Sequence, residues 1–449
     1  MIKIGSEHPR YQENKKHYKV GQLLNGGTIA MREARDITIP QEQRETDENY
    51  PARVNRSVLF NAYRQTLEGM SLKPFTEKVS FTEDLPEKYA WMLEDIDGSG
   101  MGIDLFSYEG VKGVLHRGKY LALVDMPSLF NDDGKLMSVK EQRDGNIHPF
   151  VSLIHPDSLI SYPEDDKGFT EIQIKYSKYE DVDGEIKLVN YIDHWTRKEI
   201  TTHKEDKDEK GKIVWVQIES VTNTIGVIPL VVCDDIDGKP VLEDLAHLNM
   251  SHFRKSSDID NILHVSRVPY QLFTGFEQDE IEATVSVHNA YCSDNVNADI
   301  KWIEIAGTAN ANSAQDLEAL EERMSVYGFD LISAGKVAKT ATEASIETDA
   351  DYSILQSVVK SVENSWPQIM HFASLWMNDK NPPDIGLEIF KDFNITQQVL
   401  EKAKLLLSIR MAGQMSQYRF LDAIRRLKIH GDDFDINEEM GRIEEDGGF

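Results

Sequence analysis

The sequence predicts an α+β fold, with helices and an antiparallel sheet in separate stretches of the chain. Three observations predict it. Apolar residues recur at helical spacing over residues 53–116 and again beyond residue 240. From Phe150 to Cys233 apolar and polar residues alternate with the period of a strand. Within that block Asp183-Gly184 and Lys210-Gly211 fall where hairpin turns belong. Strands gathered in one run, with helices before and after, mark α+β rather than a parallel α/β sheet. The 449 residues, 40% hydrophobic and 28% charged, have ordinary globular composition and enough length for roughly three domains.

Residues 1–52 are polar, broken by Gly26 and Gly27, and read as an N-terminal arm with one short helix at 30–35. Over 53–70, Val54, Val58, Phe60, Ala62 and Leu67 fall near helical spacing, and Gly69 supplies an inexpensive left-handed cap. Residues 85–95 and 103–116 repeat that pattern. Gly118 then leads into Tyr120-Leu-Ala-Leu-Val-Asp125, a short apolar run suited to a buried strand. Ile172, Ile174 and Tyr176 alternate with polar residues, as do Val214, Val216 and Ile218. Two or three hairpins with one solvated face follow from this, with 204–212 as a charged tip.

Beyond Pro240, Leu242, Leu245, Leu248, Met250, Phe253, Ile259, Ile262 and Leu263 support a helix of about twenty residues, roughly 30 Å long, stopped by Pro269. Residues 269–312 read as a small strand insertion carried by Thr284-Val-Ser-Val287 and Ile300-Lys-Trp-Ile-Glu-Ile305. Ser313 can cap a second helix through Leu317, Leu320, Met324 and Phe329, ending near Ser333. Residues 333–342 are small, with two lysines and no acid, and form a loop. The period then holds over 343–378, with Pro367 inside, which predicts one long helix kinked just before Trp366. After Pro382-Pro383 come a strand at 387–390, helices at 396–412 and 416–430, and a frayed acidic tail.

Against 49 Lys and Arg stand 77 Asp and Glu, a formal charge of -28 that disfavours a surface made to grip DNA. Cys233 and Cys292 are too few for a disulfide framework or a cysteine-built zinc site, so a reducing compartment is expected. The first twenty residues lack the apolar core of a signal peptide, and no run of 18 apolar residues occurs; a soluble cytosolic product without membrane contact is the expectation. The glycine-rich stretch from Asp95 to Asp104 fails as a calcium hand because Phe106 stands where the bidentate Glu belongs. Its glycines Gly98, Gly100 and Gly102 miss the dinucleotide spacing. No GxSxG, P-loop, HExxH or CxxC occurs, and His148, His155 and His194 stand singly. The expectation is a protein with no enzymatic activity, cofactor or metal.

The order helix, strand insertion, helix, bare cationic loop and long kinked helix resembles the stem, clip, stem, tunnel loop and tunnel helix of tailed-phage portal proteins. Arg53-Val-Asn-Arg-Ser-Val-Leu-Phe-Asn-Ala-Tyr63 with Leu67-Glu-Gly69 looks like the amino half of one portal family, as does Gly113-Val-Leu-His-Arg-Gly118 running into Leu123-Val-Asp125-Met-Pro127. Lys339-Thr-Ala-Thr-Glu343 and Ala412-Gly-Gln-Met-Ser416 are similar to carboxyl-half segments. The likeness spans residues 53–445 and rests on the order of its parts.

What the resemblance implies is a portal fold: a mixed wing over 53–242, stem helices at 243–264 and 313–332, a clip at 265–312, a tunnel loop at 333–342, a kinked tunnel helix with its return to the wing over 343–392, and a short crown of two helices over 393–449. It implies a closed homo-oligomeric ring of about twelve subunits at one capsid vertex. Double-stranded DNA would pass through without sequence specificity during packaging and ejection. The implied partners are the terminase large subunit, a head-completion adaptor, and the major capsid and scaffolding proteins; the implied location is the virion, after assembly in the host cytoplasm. Gly335, Lys336, Val337, Ala338, Lys339 and Thr340 would face DNA. Phe276, Glu277, Asp279, Glu280 and Glu282 would form the motor-docking surface, and Trp366-Pro367 the kink. The charge balance suits that reading: residues 313–332 carry five acids and one base, while 333–342 carry only Lys336 and Lys339. A non-portal structural or adaptor protein of a virion has the same charge and the same lack of motifs. A hydrolase with an unmarked carboxylate pair is the remaining alternative.

Overall fold

The computed structural model describes residues 2–127, 137, 147–182, 184–234, 238–266, 270–276, 295–303, 308–325, 341–391, 395–427 and 435–445. The amino-terminal residues are integral to the body rather than a loose arm. Helix α1 (Pro9–Asn25) opens with Pro at its first position and the His8 imidazole accepting from Arg10 N at 3.3 Å, and it buries Tyr11, Tyr18, Gly21 and Leu24. Two tyrosines, a glycine and a leucine make a weak periodic signal, which is why the sequence pattern does not announce this helix. α2 (Gly27–Glu33) follows directly, with Met31 buried.

The single helix expected over 53–70 is two, α3 (Asn49–Arg56) and α4 (Ala62–Leu72). Ser57 turns extended, at φ -62 and ψ 126, and Asn61 caps α4 by accepting from Arg64 N. The helix expected at 85–95 shrinks to isolated turns at Glu87–Tyr89 and Trp91–Glu94. α5 (Ile103–Arg117) matches its expected span and ends at Gly118, whose φ of 76° is left-handed. A Cβ there would lie 2.4 Å from the Gly238 carbonyl oxygen, so glycine is required for space as well as for conformation.

The strands that build the sheets and the hairpin are β1 (Ser80–Phe81), β2 (Lys119–Asp125), β3 (Phe150–Ile154), β4 (Leu159–Ser161), β5 (Glu171–Val182), β6 (Glu185–Thr196), β7 (Glu199–Lys207), β8 (Ile213–Thr222), β9 (Leu230–Asp234), β10 (Tyr270–Thr274), β11 (Asp299–Ile303) and β12 (Leu387–Glu388). β9, β2 and β3 form one antiparallel sheet in that order; β8-β7-β6-β5-β4 form a second. The β5–β6 and β7–β8 hairpins turn at the two predicted glycine turns, with registers running from Val182↔Glu185 and Lys207↔Ile213.

β2 is buried on both faces. Tyr120, Ala122 and Val124 join the main core with Val231 and Cys233, against Val358, Val359, Val362 and Trp366 of a long later helix. Leu121 and Leu123 face the other way and pack with Ile172, Ile174 and Trp195 of the five-stranded sheet. The result is three layers: helices, small sheet, large sheet.

After residue 240 come α6 (Glu243–Ser266), α7 (Thr308–Ser325), α8 (Ala341–Trp376), α9 (Ile395–Met411), α10 (Gln417–Arg426) and α11 (Ile436–Glu445). α7 starts five residues before the expected Ser313 cap. α8 runs as a helix through Pro367. β12, within the strand expected at 387–390, pairs with β1, and its neighbours Ile389 N and Lys391 Nζ bind the Glu363 carboxylate at 2.9 and 2.6 Å, which fastens the return segment to α8. The tail expected to fray contains α11, so the carboxyl-terminal helices number three among the described residues.

One core-edge carboxylate sets a pH dependence. Burial pushes Asp125 up to about 6, and the Asp193 charge adds to the rise. A carboxyl raised in the folded state binds its proton more tightly there than when unfolded, so its contribution to stability falls as pH climbs from about 4 through 6. Asp125→Asn is therefore expected to leave stability near pH 4 unchanged and to raise it at pH 7.5 by up to about 2 kcal/mol. Urea unfolding midpoints at the two pH values check this; an equal effect at both would refute it.

Candidate functional site

The most distinctive local assembly is a helix–hairpin–helix formed by α6, β10, β11 and α7. Glu243 and Asp244 sit in the first turn of α6, where the helix dipole favours acid. Leu245, Met250 and Phe253 enter the core. Beside that apolar stripe runs a second buried stripe that is polar: Asn249, His252 and Ser257 are each at most 5% exposed.

Buried polar groups need partners, and the amino-terminal residues supply most of them. Asn249 accepts from Tyr63 N at 2.9 Å and donates to the Phe60 carbonyl at 2.8 Å. Ser57 Oγ donates to Ser257 Oγ at 2.7 Å. Arg53, 4% exposed, makes a two-pronged pair with Glu45 at 2.8 Å through Nε and Nη2, and its Nη1 lies 3.6 Å from Asp258. That guanidinium holds the Glu45 carboxyl below the usual range. Arg56 reaches Asn261 Oδ1 at 3.0 Å, and Arg254 on α6 reaches back to the carbonyls of Thr38 and Ile37. His17 of α1 closes the series at Glu243, 2.7 Å away. α6 is thus braced from Glu243 to Asn261.

α7 packs antiparallel on α6, as the descending pairs His252–Glu321 (3.3 Å) and Lys255–Asp316 (3.5 Å) require. Leu320 and Met324 are buried, while Asp316, Glu318 and Glu322 face outward with Arg323. β10 and β11 pair from Tyr270↔Ile303 to Thr274↔Asp299 beyond the last brace on α6. Phe273 and Phe276 meet edge to face at 5.5 Å, Gly275 takes φ 76, and Leu272 and Val296 are exposed.

Of the predicted site residues, Phe276 lies in this hairpin, at the end of the described β10 segment. Glu277, Asp279, Glu280 and Glu282 lie outside the described residues, as do the expected strand at 284–287 and, of the expected loop, Gly335, Lys336, Val337, Ala338, Lys339 and Thr340. Trp366 is 1% exposed and packs against Phe81 at 5.5 Å, whereas Pro367 is exposed beside Met370, His371, Pro382 and Pro383. In the loop after Asp95, the Asp95 carboxylate accepts from Gly100 N and the Asp97 carboxylate from Ser99 N and Met101 N, so the carboxylates are turned onto their own backbone. Among the described residues no group of three or more His, Cys, Asp and Glu is placed to hold a metal ion, and no helix is long and apolar enough to cross a membrane. Sequence reasoning missed the brace. Its available signal was Asn249, His252 and Ser257 sharing one side of an otherwise amphipathic helix.

A family model described as a domain of unknown function, DUF4055, matches residues 241–377, an interval that opens just before α6 and closes just after α8. No curated protein matches the chain. Among solved structures, the neck of a native GTA particle computed with C12 symmetry aligns at TM-score 0.42 and 11% identity, covering 82% of this chain and 90% of that one. The neck of an empty GTA particle computed with C6 symmetry aligns at TM-score 0.42 and 10% identity over the same shares.

The brace predicts a specific stability cost. Arg53→Ala leaves the buried Glu45 carboxylate without its partner and is expected to lower stability by about 3 kcal/mol. Replacing the pair together, Arg53→Met with Glu45→Leu, should recover most of that loss. Urea unfolding of the three proteins tests it, and equal losses in the single and double variants would show that the cost is packing rather than stranded charge.

Proposed function

We propose that this chain is a tailed-phage portal protein, a structural protein without catalytic role. In this reading its subunits close into a ring of about twelve at one capsid vertex, and DNA passes through the ring during packaging and ejection. The observation that carries the reading is the braced antiparallel pair α6–α7 with the β10–β11 hairpin at its far end, followed in the chain by the long helix α8. Stem, clip and tunnel helix of a portal come in that order, and the sequence segments similar to portal proteins flank the same elements.

Charge supports the reading as well. The outward acids Asp316, Glu318 and Glu322 on α7 would repel phosphate and leave hydrated ions between wall and duplex, so that DNA could move without being held. Between α7 and α8, residues 333–342 carry Lys336 and Lys339 and no acid. Those two lysines would offer point-charge contacts to phosphate at the channel. The hairpin and its acidic continuation, Glu277 to Glu282, would receive the terminase large subunit and later a head-completion adaptor; capsid and scaffolding proteins would surround the ring in the virion.

Two measurements test the proposal. The purified chain is expected to form closed rings visible by negative-stain imaging, with a mass near a dozen subunits. A monomer or a twofold dimer at micromolar concentration would refute it. Replacing Lys336 and Lys339 together by Ala should leave ring assembly unchanged and thermal stability within about 0.5 kcal/mol. Particles built with that variant should retain packaged DNA poorly or package a different length. Wild-type length and retention would remove any channel role from these lysines.

A further inference from the structure

Over its described side chains, 402–411, α9 lacks what helices normally require, a buried face. They include Leu405, Leu406, Leu407, Ile409 and Met411, yet none is buried. Leu405 is 60% exposed and Met411 81%, and Tyr418 at the start of α10 adds 54%. α9, α10 and α11 pack chiefly on one another, with Leu421, Ile424 and Ile436 as their buried contacts. Exposed apolar side chains gathered on one helix mark an interaction surface rather than an ordinary solvated face.

Charge indicates what covers it. In a chain of net charge -28, residues 395–427 carry six Lys and Arg against two acids. Lys402, Lys404 and Arg419 are exposed, and at helical spacing Lys404 shares one side of α9 with Leu407 and Met411. Residues 435–445 reverse the sign, with five acids and one Arg. Within that terminal helix Glu438 is 65% exposed, Glu439 is about one-third exposed, and Met440 and Ile443 are half-buried. The two segments have equal and opposite net charge, and each combines its charge with apolar side chains.

We propose that α9 and the start of α10 receive the acidic α11 of a second copy of this chain. The contact is heterologous: each copy presents a basic, apolar surface on one side and an acidic helix on the other, so the association propagates from copy to copy and closes only where the rotation allows. Leu407 and Met411, one turn apart on the same side of α9, supply the desolvated centre, and Lys404, on that side with them, meets Glu438 and Glu439 at its edge. The inference goes beyond the portal reading by naming the side chains that would join neighbouring carboxyl-terminal helices, and it rests on that reading only in requiring self-association.

Charge reversal tests it on the full chain. Lys404→Glu, and separately Glu438→Lys with Glu439→Lys, should each raise the concentration needed for assembly about tenfold or more, read by mass measurement in low salt. An equimolar mixture of the two variants should assemble better than either alone, because one complementary surface is restored at each mixed contact. Met411→Ser, at a position too exposed to matter for the monomer's fold, should weaken assembly as well. If wild-type chain assembles and the reversals assemble equally well, this inference falls and the ring reading stands. Failure of the mixture to recover assembly also overturns the pairing. Intact assembly with loss of binding to a short DNA duplex in the Lys404→Glu variant would assign the basic face to nucleic acid and overturn it. A monomeric wild-type chain would overturn this inference and the ring reading together.

Discussion

The structure depends on the polar stripe buried along α6. Asn249, His252 and Ser257 sit inside the protein on the helix that leads into the hairpin, and each unsatisfied group there would cost about 1–3 kcal/mol. Most of their partners come from the first 65 residues: the Tyr63 amide, the Phe60 carbonyl and Ser57, with Arg53 and Arg56 extending the series to Asp258 and Asn261. Those residues can act only if α1 to α4 are folded against α6. What reads as a polar arm is therefore a brace, and it fixes the axis along which α6 projects. α7 takes its direction from α6 through Met324 and the His252–Glu321 and Lys255–Asp316 pairs, and the β10–β11 hairpin is carried where the brace ends.

A second constraint links this assembly to the sheets. β2 is covered on both sides, so it cannot shift register without moving apolar side chains from one layer into the other. On its helical side, the Tyr120 hydroxyl meets Ser365 of α8 at 2.5 Å, and Trp376 Nε1 at the end of α8 donates to the Val124 carbonyl at 2.9 Å. α8 is thus tied to the small sheet at two points about three turns apart, one on each side of Pro367. Proline removes one backbone bond from the helix, and these lateral ties, with the Glu363 carboxylate fastening the return strand, hold the segment in place across the gap.

Much of the secondary structure was legible because it follows local rules. The glycine turns of the two long hairpins, the left-handed stop at Gly118, the strand from Lys119 and the long helix through Pro367 each leave a signature within a few residues. The failures are equally specific. α1 hides because its buried face is made of Tyr11, Tyr18 and Gly21, which do not register as an apolar stripe. The break between α3 and α4 hides because the apolar period runs straight through it, while Asn249, nearly two hundred residues away, binds the freed backbone at Phe60 and Tyr63. Of the candidate site, the sequence marked the helix–insertion–helix order and the cationic segment between α7 and α8, and the side chains that brace it were invisible.

By itself the sequence determined the periodicities, the turn positions, the excess of acid and the order of the elements, since each is a property of neighbouring residues. Which residues became partners was decided by the tertiary structure. Arg53 could have served any exposed carboxylate, and its burial with Glu45 beside Ser257 and Asp258 exists only because α3 and α6 pack together. Likewise Leu405 and Met411 look like ordinary core residues in the sequence, and only the packing of α9 leaves them uncovered. The reason is physical: helix and strand periods follow from backbone geometry within a few residues, whereas burial, charge pairing and exposure depend on contacts between segments far apart in the chain.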